Sequence, residues 1–169
     1  MAIAVSLSGC LITQPVRFDQ PSNSPPSISD AQGAPLSLTR IIQLPRDFTT
    51  TGDAGSGRQV SLAVEVFDPD VDQTLNFQVL VDRTPCSTCV EQHGVLSPST
   101  RATGRDRRST TLAIDQALLL PPNCHSIQLL VSGGFQAGSQ MPLEDRDLAS
   151  ATWWVASTDM STVDMRLCP

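Results

Sequence analysis

Between Gln59 and Phe67 the chain alternates without a break: Val60, Leu62, Val64 and Val66 on one side, Ser61, Ala63 and Glu65 on the other. A period of two places these sets on opposite faces of an extended strand, one face apolar enough to bury. The pattern returns over Thr74–Val81, where Leu75, Phe77, Val79 and Val81 share a face, after a turn at Asp68-Pro69-Asp70. There Asp caps the turn and Pro presets φ. Further short runs lie at Pro35–Leu44, Thr110–Ile114, Ser126–Ser132 and Ala151–Ser157, separated by Gly, Pro, Asp and Ser. Short strands with polar punctuation predict an all-β fold, an antiparallel sandwich. Only Ile114–Leu120 offers a helical turn, and Pro121-Pro122 stops it at once. No internal repeat appears, so the strands belong to one domain.

A chain of 169 residues, 40% apolar and 17% charged, has a globular balance. Every basic residue is arginine, for lysine is absent. That excludes the Walker phosphate loop, Schiff-base chemistry and serine–lysine hydrolysis, each of which needs an amine. A net charge of −6 with 4% aromatic residues argues against a nucleic-acid partner.

Met1–Cys10 reads MAIAVSLSGC, and its end, Leu7-Ser8-Gly9-Cys10, resembles the lipobox of bacterial lipoproteins. In that motif small residues fit a narrow peptidase site and the Cys thiol is the acylated nucleophile. The departure is that Met1–Leu7 holds no Arg or Lys for a signal-peptide n-region. The other reading is a buried N-terminal strand ending in an ordinary Cys. Leu11–Pro26 carries four prolines and little periodicity, an extended tether of about 50 Å at roughly 3.1 Å per residue. The resemblance implies residues 1–9 as a signal-peptide remnant, 10–26 as lipidated Cys10 plus tether, and 27–169 as the folded domain. Leu11, where inner-membrane retention would place Asp, implies the outer membrane, with the domain periplasmic or surface-exposed. Its partners would be the membrane, through the lipid, and other envelope proteins.

NSPPSI (Asn23–Ile28), VSLAVEVFDPDVDQTLNFQV and LPPNCHSIQLLVSGGF together resemble immunoglobulin-like and cadherin-like modules of bacterial envelope proteins. The resemblance spans roughly Ser24–Ser157 and implies a structural or interaction module rather than an enzyme. It departs in lacking any Tyr, in Val71 where Gly usually follows Asp-Pro-Asp, and in a long insert from Thr84 to Arg108. In such a sandwich the loop after Gln59–Phe67 and the loop before Ala151–Ser157 share one end. Asp68, Asp70 and Asp72 would then approach Glu144, Asp145 and Asp147. Asp68, Asp70, Asp72 and Asp145 are therefore a candidate oxygen set for Ca²⁺. Ordinary turn chemistry, or neutralisation by Arg101, Arg105, Arg107 and Arg108, explains the same acids. Those arginines could instead meet phosphate groups.

Catalytic patterns are absent: no GxSxG, no HExxH, and only His93 and His125 as histidines. Cys86-Ser87-Thr88-Cys89 matches CxxC, but no helix follows it as in thioredoxin-type sites. Trp153-Trp154 should place one ring in the core and one outside. With Cys10 assigned to lipid, Cys86, Cys89, Cys124 and Cys168 form an even set in an exported chain, hence two disulfides of three alternative connectivities. The strand order puts all four at one end, favouring links from the CxxC segment to Cys124 and Cys168. A zinc site from the same thiols with His93 and His125 is the competing reading.

The anchor has a direct check in the mass of the mature N-terminus. Met1–Gly9 should be missing and Cys10 should carry acyl mass, several chains being needed for stable membrane binding. An intact Met1, or an unmodified Cys10, would end the lipoprotein reading.

Overall fold

The apolar faces of the alternating segments close on each other as two stacked sheets. The computed structural model describes residues 23–32, 38, 41–44, 59–82, 90–98, 106–119 and 124–157. Among them are eight strands: β1 (Ser27–Asp30), β2 (Ile42–Leu44), β3 (Gln59–Phe67), β4 (Leu75–Val81), β5 (Gln92–Leu96), β6 (Arg107–Asp115), β7 (Cys124–Ser132) and β8 (Ala149–Ser157). One sheet has the order β1-β3-β6, the other β2-β8-β7-β4-β5. All pairings are antiparallel except β2 with β8, which is parallel. This is an immunoglobulin-like sandwich: the second sheet carries the G-F-C order, extended by one strand beyond C.

The core lies where the alternation put it. Val60, Leu62, Val64 and Val66 of β3 and Leu75, Phe77, Val79 and Val81 of β4 are buried, facing Leu112, Ile114, Ile127, Leu129, Val131, Trp153 and Val155. Each such side chain contributes about 1.5–3 kcal/mol relative to exposure. Trp153 is buried in this core while Trp154 is half-buried on the opposite face of β8. The turn before Pro121 is a short 3₁₀ helix, Gln116–Leu119, whose Leu119 enters the core.

Four expectations change. The first strand is divided: Ser27–Asp30 pairs with β3, while the described part of Pro35–Leu44 that forms strand is only Ile42–Leu44, against β8. The insert contains β5, which pairs with β4 from Gln92↔Val79 to Leu96↔Leu75. Arg107 and Arg108 are not loop residues but the start of β6, since the β3–β6 ladder continues to Phe67↔Arg107. The tether's end is docked: Pro26 is buried and the Ser24 amide donates to Asp70 Oδ2 at 2.7 Å.

Gly94 is where β5 needs a missing side chain. It lies opposite Phe77, and a Cβ there would sit 2.5 Å from Phe77 Cε1 and 2.6 Å from Cζ. Gly94→Ala should lower the unfolding free energy by about 1–3 kcal/mol by overpacking. Urea denaturation would read this as a lower midpoint at unchanged slope; an unchanged midpoint would mean that the ring swings aside without cost.

Candidate functional site

Two structures occupy the end of the sandwich where β3 leaves for β4. The first is a buried ion pair. Asp68 follows the last inward position of β3, Val66, by two residues, and Arg108 lies opposite Val66 in β6, so both side chains point between the sheets. Arg108 Nη2 lies 2.9 Å from Asp68 Oδ2, with side-chain exposures of 5% and 0%. The guanidinium also donates to the carbonyls of Asp70 (3.3 Å), Val71 (3.4 Å) and Leu96 (3.4 Å). Asp68 Oδ1 accepts the Asp70 amide at 3.0 Å, closing the turn. Burial nonetheless pushes the Asp68 carboxyl above its ordinary value of 3.8. The Asp70 amide and Arg108 pull it down, and the carboxylates of Asp70 and Asp147 push it up again.

The second is the hairpin between β7 and β8. Asp147 is 4% exposed and accepts the Gly133 amide at 2.6 Å and the Ser132 hydroxyl at 3.3 Å, clamping the hairpin's base. Gly133 leaves room for these side chains, since a Cβ there would lie 2.0 Å from Gln73 Nε2 and 2.7 Å from Asp147 Oδ2 and would push both ends aside. Above the clamp, Phe135 bridges Pro142, and Gln136 donates to the Met141 carbonyl at 2.9 Å. Two outward amides of β4 hold this hairpin over the five-stranded sheet. Asn76 Nδ2 donates to Gly133 O at 2.9 Å and Gln78 Nε2 to Ser139 O at 3.1 Å.

Between hairpin and β5 this leaves a groove of about 710 Å³, within the range of ligand clefts. Asn76, Gln78, His93 and Val95 form its floor and far wall, and Phe135, Ser139 and Leu143 its near wall. No Asp, Glu or Arg lines it, so it is electrically neutral apart from His93. Val95 and Leu143 are 59% and 67% exposed, and Gln78 Oε1 is buried without a hydrogen-bond partner. The groove suits an uncharged segment offering aliphatic groups and an amide donor.

The acidic residues read from the sequence are not gathered as one ligand set, although Asp70 and Asp147 act electrostatically on Asp68. Asp68 is held by Arg108, Asp70 by the Ser24 amide, and Asp72 and Asp145 are exposed. Among the described residues no three His, Cys, Asp or Glu side chains gather to hold a metal. Asp147 Oδ1 and Gln73 Oε1 are buried acceptors without partners at this end. Arg101 and Arg105 fall outside the described residues, as do Cys10, Cys86, Cys89 and Cys168. Cys124, at the start of β7, is disulfide-bonded. Beside it, His125 Nδ1 lies 2.6 Å from Asp82 Oδ2, and Asp82 Oδ1 accepts the Ser126 amide at 2.9 Å. Asp82 adopts φ 53°, so this pair ties the sharp exit of β4 to β7. His93 points away from it, into the groove. Neutralisation of the acids by arginine, one of the readings of the sequence, is what Arg108 does at Asp68, while sequence reasoning missed the structural roles of Asp147 and Asp82. Arg108 alone left a signal: two-residue steps from Ile114 and Leu112 reach it.

No protein family and no curated protein matches this chain significantly. It is similar to the CARDB domain of a Pyrococcus furiosus protein, in a crystal structure in complex with di-metal ions, at 10% identity and a TM-score of 0.42. The alignment covers 79% of this chain and 93% of that one. The solution structure of the same domain aligns over 79% and 94%, at 10% identity and a TM-score of 0.38.

Arg108→Met would leave the Asp68 carboxylate buried and unpaired, and should cost about 3–5 kcal/mol at neutral pH. Because the folded pKa of Asp68 stands above 3.8, its contribution to stability is fully present below that value. It is lost as pH rises through the folded pKa. The penalty in Arg108→Met should therefore shrink on acidification, and Asp68→Asn should remove that slope. Urea unfolding across the acid range checks both; a pH-independent penalty would mean that Asp68 is already neutral at pH 7.

Proposed function

We propose that this chain is a non-catalytic, lipid-anchored module of the bacterial envelope that binds a partner protein in the groove beside the β7–β8 hairpin. The observation that carries the reading is the groove: a neutral cleft with exposed Val95 and Leu143 on facing walls and a buried, unpartnered acceptor in its floor. The sandwich supplies a rigid platform, and the hairpin is fixed to it by Asn76, Gln78 and Asp147. A surface so held binds with little ordering cost. The Leu7-Ser8-Gly9-Cys10 run and the proline-rich stretch behind it support anchoring at the outer membrane, through acyl chains on Cys10. Oxidising export accords with the disulfide at Cys124, and we assign its bond to the Cys86–Cys89 segment, with Cys168 on the remaining thiol.

The acidic end supports a second reading, Ca²⁺ binding, through the unpartnered oxygens of Asp147 and Gln73. It requires Asp68 to exchange Arg108 for the ion. Calorimetric titration with Ca²⁺ tests it, with Asp147→Asn as the control that should abolish any heat.

The groove reading is tested by a photo-crosslinking residue at His93, compared with one at Ser61 on the opposite sheet. The first should yield a discrete protein adduct in intact cells that Leu143→Asp abolishes. Identical adduct patterns from both positions would overturn the reading.

A further inference from the structure

We infer that two copies of this chain join edge to edge through β6, antiparallel, about a two-fold axis at Thr111. Among the described residues of the three-stranded sheet β6 has a neighbour on one side only, β3, and its nine residues present a row of backbone groups that no described strand pairs on the other. The described strands at the other sheet edges are shorter: four residues in β1, three in β2 and five in β5. Exposed edges of this length are normally blunted by Pro, a bulge or charged side chains, and β6 carries its charges only at its two ends, Arg107 and Arg108 at one and Asp115 at the other. Its central stretch, Ser109–Ala113, has no charge, Pro or bulge, and Thr110, Thr111 and Ile114 favour extended backbone. The free side of β6 is also where the four-stranded sheet of constant-type sandwiches carries its fourth strand.

The charges choose the occupant and the register. Arg107, Ser109, Thr111, Ala113 and Asp115 all face outward and are exposed. Pairing about Thr111 overlaps all nine residues, placing Arg107 opposite the partner's Asp115 and Asp115 opposite the partner's Arg107. Ser109 then meets the partner's Ala113, and the two Thr111 side chains meet at the axis. Moving the axis to Thr110 sets Arg107 against the partner's Ala113; moving it to Leu112 carries Arg107 beyond the strand. Opposite charges directly across a ladder are favourable, and this register alone makes two such pairs, each sharing an Arg107 whose Nη1 also lies 3.2 Å from Glu65 Oε2 of its own copy. On the inward face the seam brings Leu112 and Ile114 of each copy beside Thr110 and Arg108 of the other, and Arg108 is already neutralised by Asp68. The interface is isologous and closes as a dimer rather than a filament.

Sedimentation velocity on the full-length chain tests this. The wild type should show a concentration-dependent monomer–dimer equilibrium. Thr111→Lys sets two like charges against each other at the axis and should weaken the dimer by about tenfold or more, with the monomer's thermal melt unchanged. Arg107→Asp and Asp115→Arg should each weaken it, and the two combined should restore it. Asp115 Oδ1 also accepts the Ala117 amide at 2.8 Å, so if Asp115→Arg fails to fold, Thr111→Lys and Arg107→Asp decide the matter. A wild type that stays monomeric at the highest monodisperse concentration, or a dimer indifferent to Thr111→Lys, would overturn the proposal. Failure of a folded double variant to recover would overturn the register.

Discussion

The Asp68–Arg108 pair closes the end of the sandwich, and four segments converge on it. Asp68 directly follows β3, Arg108 is the second residue of β6, Asp70 and Val71 form the turn to β4, and Leu96 ends β5. Taking two charges out of water costs several kcal/mol per ion, and an apolar pair of equal volume is often as stable or more so. What an apolar pair would not supply is direction. A two-residue slip of β6 along β3 would keep Leu112 and Ile114 against the core, but it would carry Arg108 away from Asp68. The hydrophobic pattern of β3 and β6 tolerates such a slip, while the charge pair penalises it by leaving a carboxylate buried alone. The ion pair thus sets the register that the valines and leucines leave open.

From that register follows the difference between the two outer faces. On the three-stranded sheet the outward positions of β3 and β6 are mostly small or charged: Ser61, Ala63, Glu65, Arg107, Ser109, Thr111 and Ala113. Nothing there needs covering. On the five-stranded sheet the outward positions include Leu80 and Leu130, and these are buried, at 2% and 6% exposure. Beside them Asn76 and Gln78 hold the β7–β8 hairpin down by its own carbonyls. The hairpin therefore stands where the sheet has amides to hold it, and the groove is the space left toward β5.

How far the sequence could be read depended on the range of the interaction concerned. Period-two alternation is local, so β3 is found with its limits unchanged and β4 within one residue. The burial of Trp153 follows from the same rule. β5 was hidden because QHGVL, with Gly94 in its centre, has little apolar content, and it is a strand through its ladder with β4, in which Gly94 lies opposite Phe77. β6 was cut short because two adjacent arginines look like loop, although the ladder runs through them. The acidic set at Asp68, Asp70 and Asp72 read as cation ligands for a related reason. Turn spacing brings the acids together, and of the arginines that could neutralise them it is Arg108, 40 positions away in sequence, that the strand ladder carries to Asp68. The groove was invisible from sequence, since it is a gap between a hairpin and a strand and no single segment encodes it.

The chain's exclusive use of arginine bears on that counter-charge. At position 108 the cation must reach Asp68 Oδ2, two turn carbonyls and the Leu96 carbonyl at once, from a strand position with 5% side-chain exposure. A guanidinium spreads five donors in a plane, stays protonated under all ordinary conditions, and is less costly to dehydrate than an ammonium. A lysine offers three donors at one point and loses its proton more readily when buried. At this site it could satisfy the carboxylate or the carbonyls, but it has too little span for both Leu96 on one side and the turn on the other. Arg108 is thus a structural requirement of the closure itself: a single planar cation that neutralises one buried acid while capping carbonyls from two separate segments.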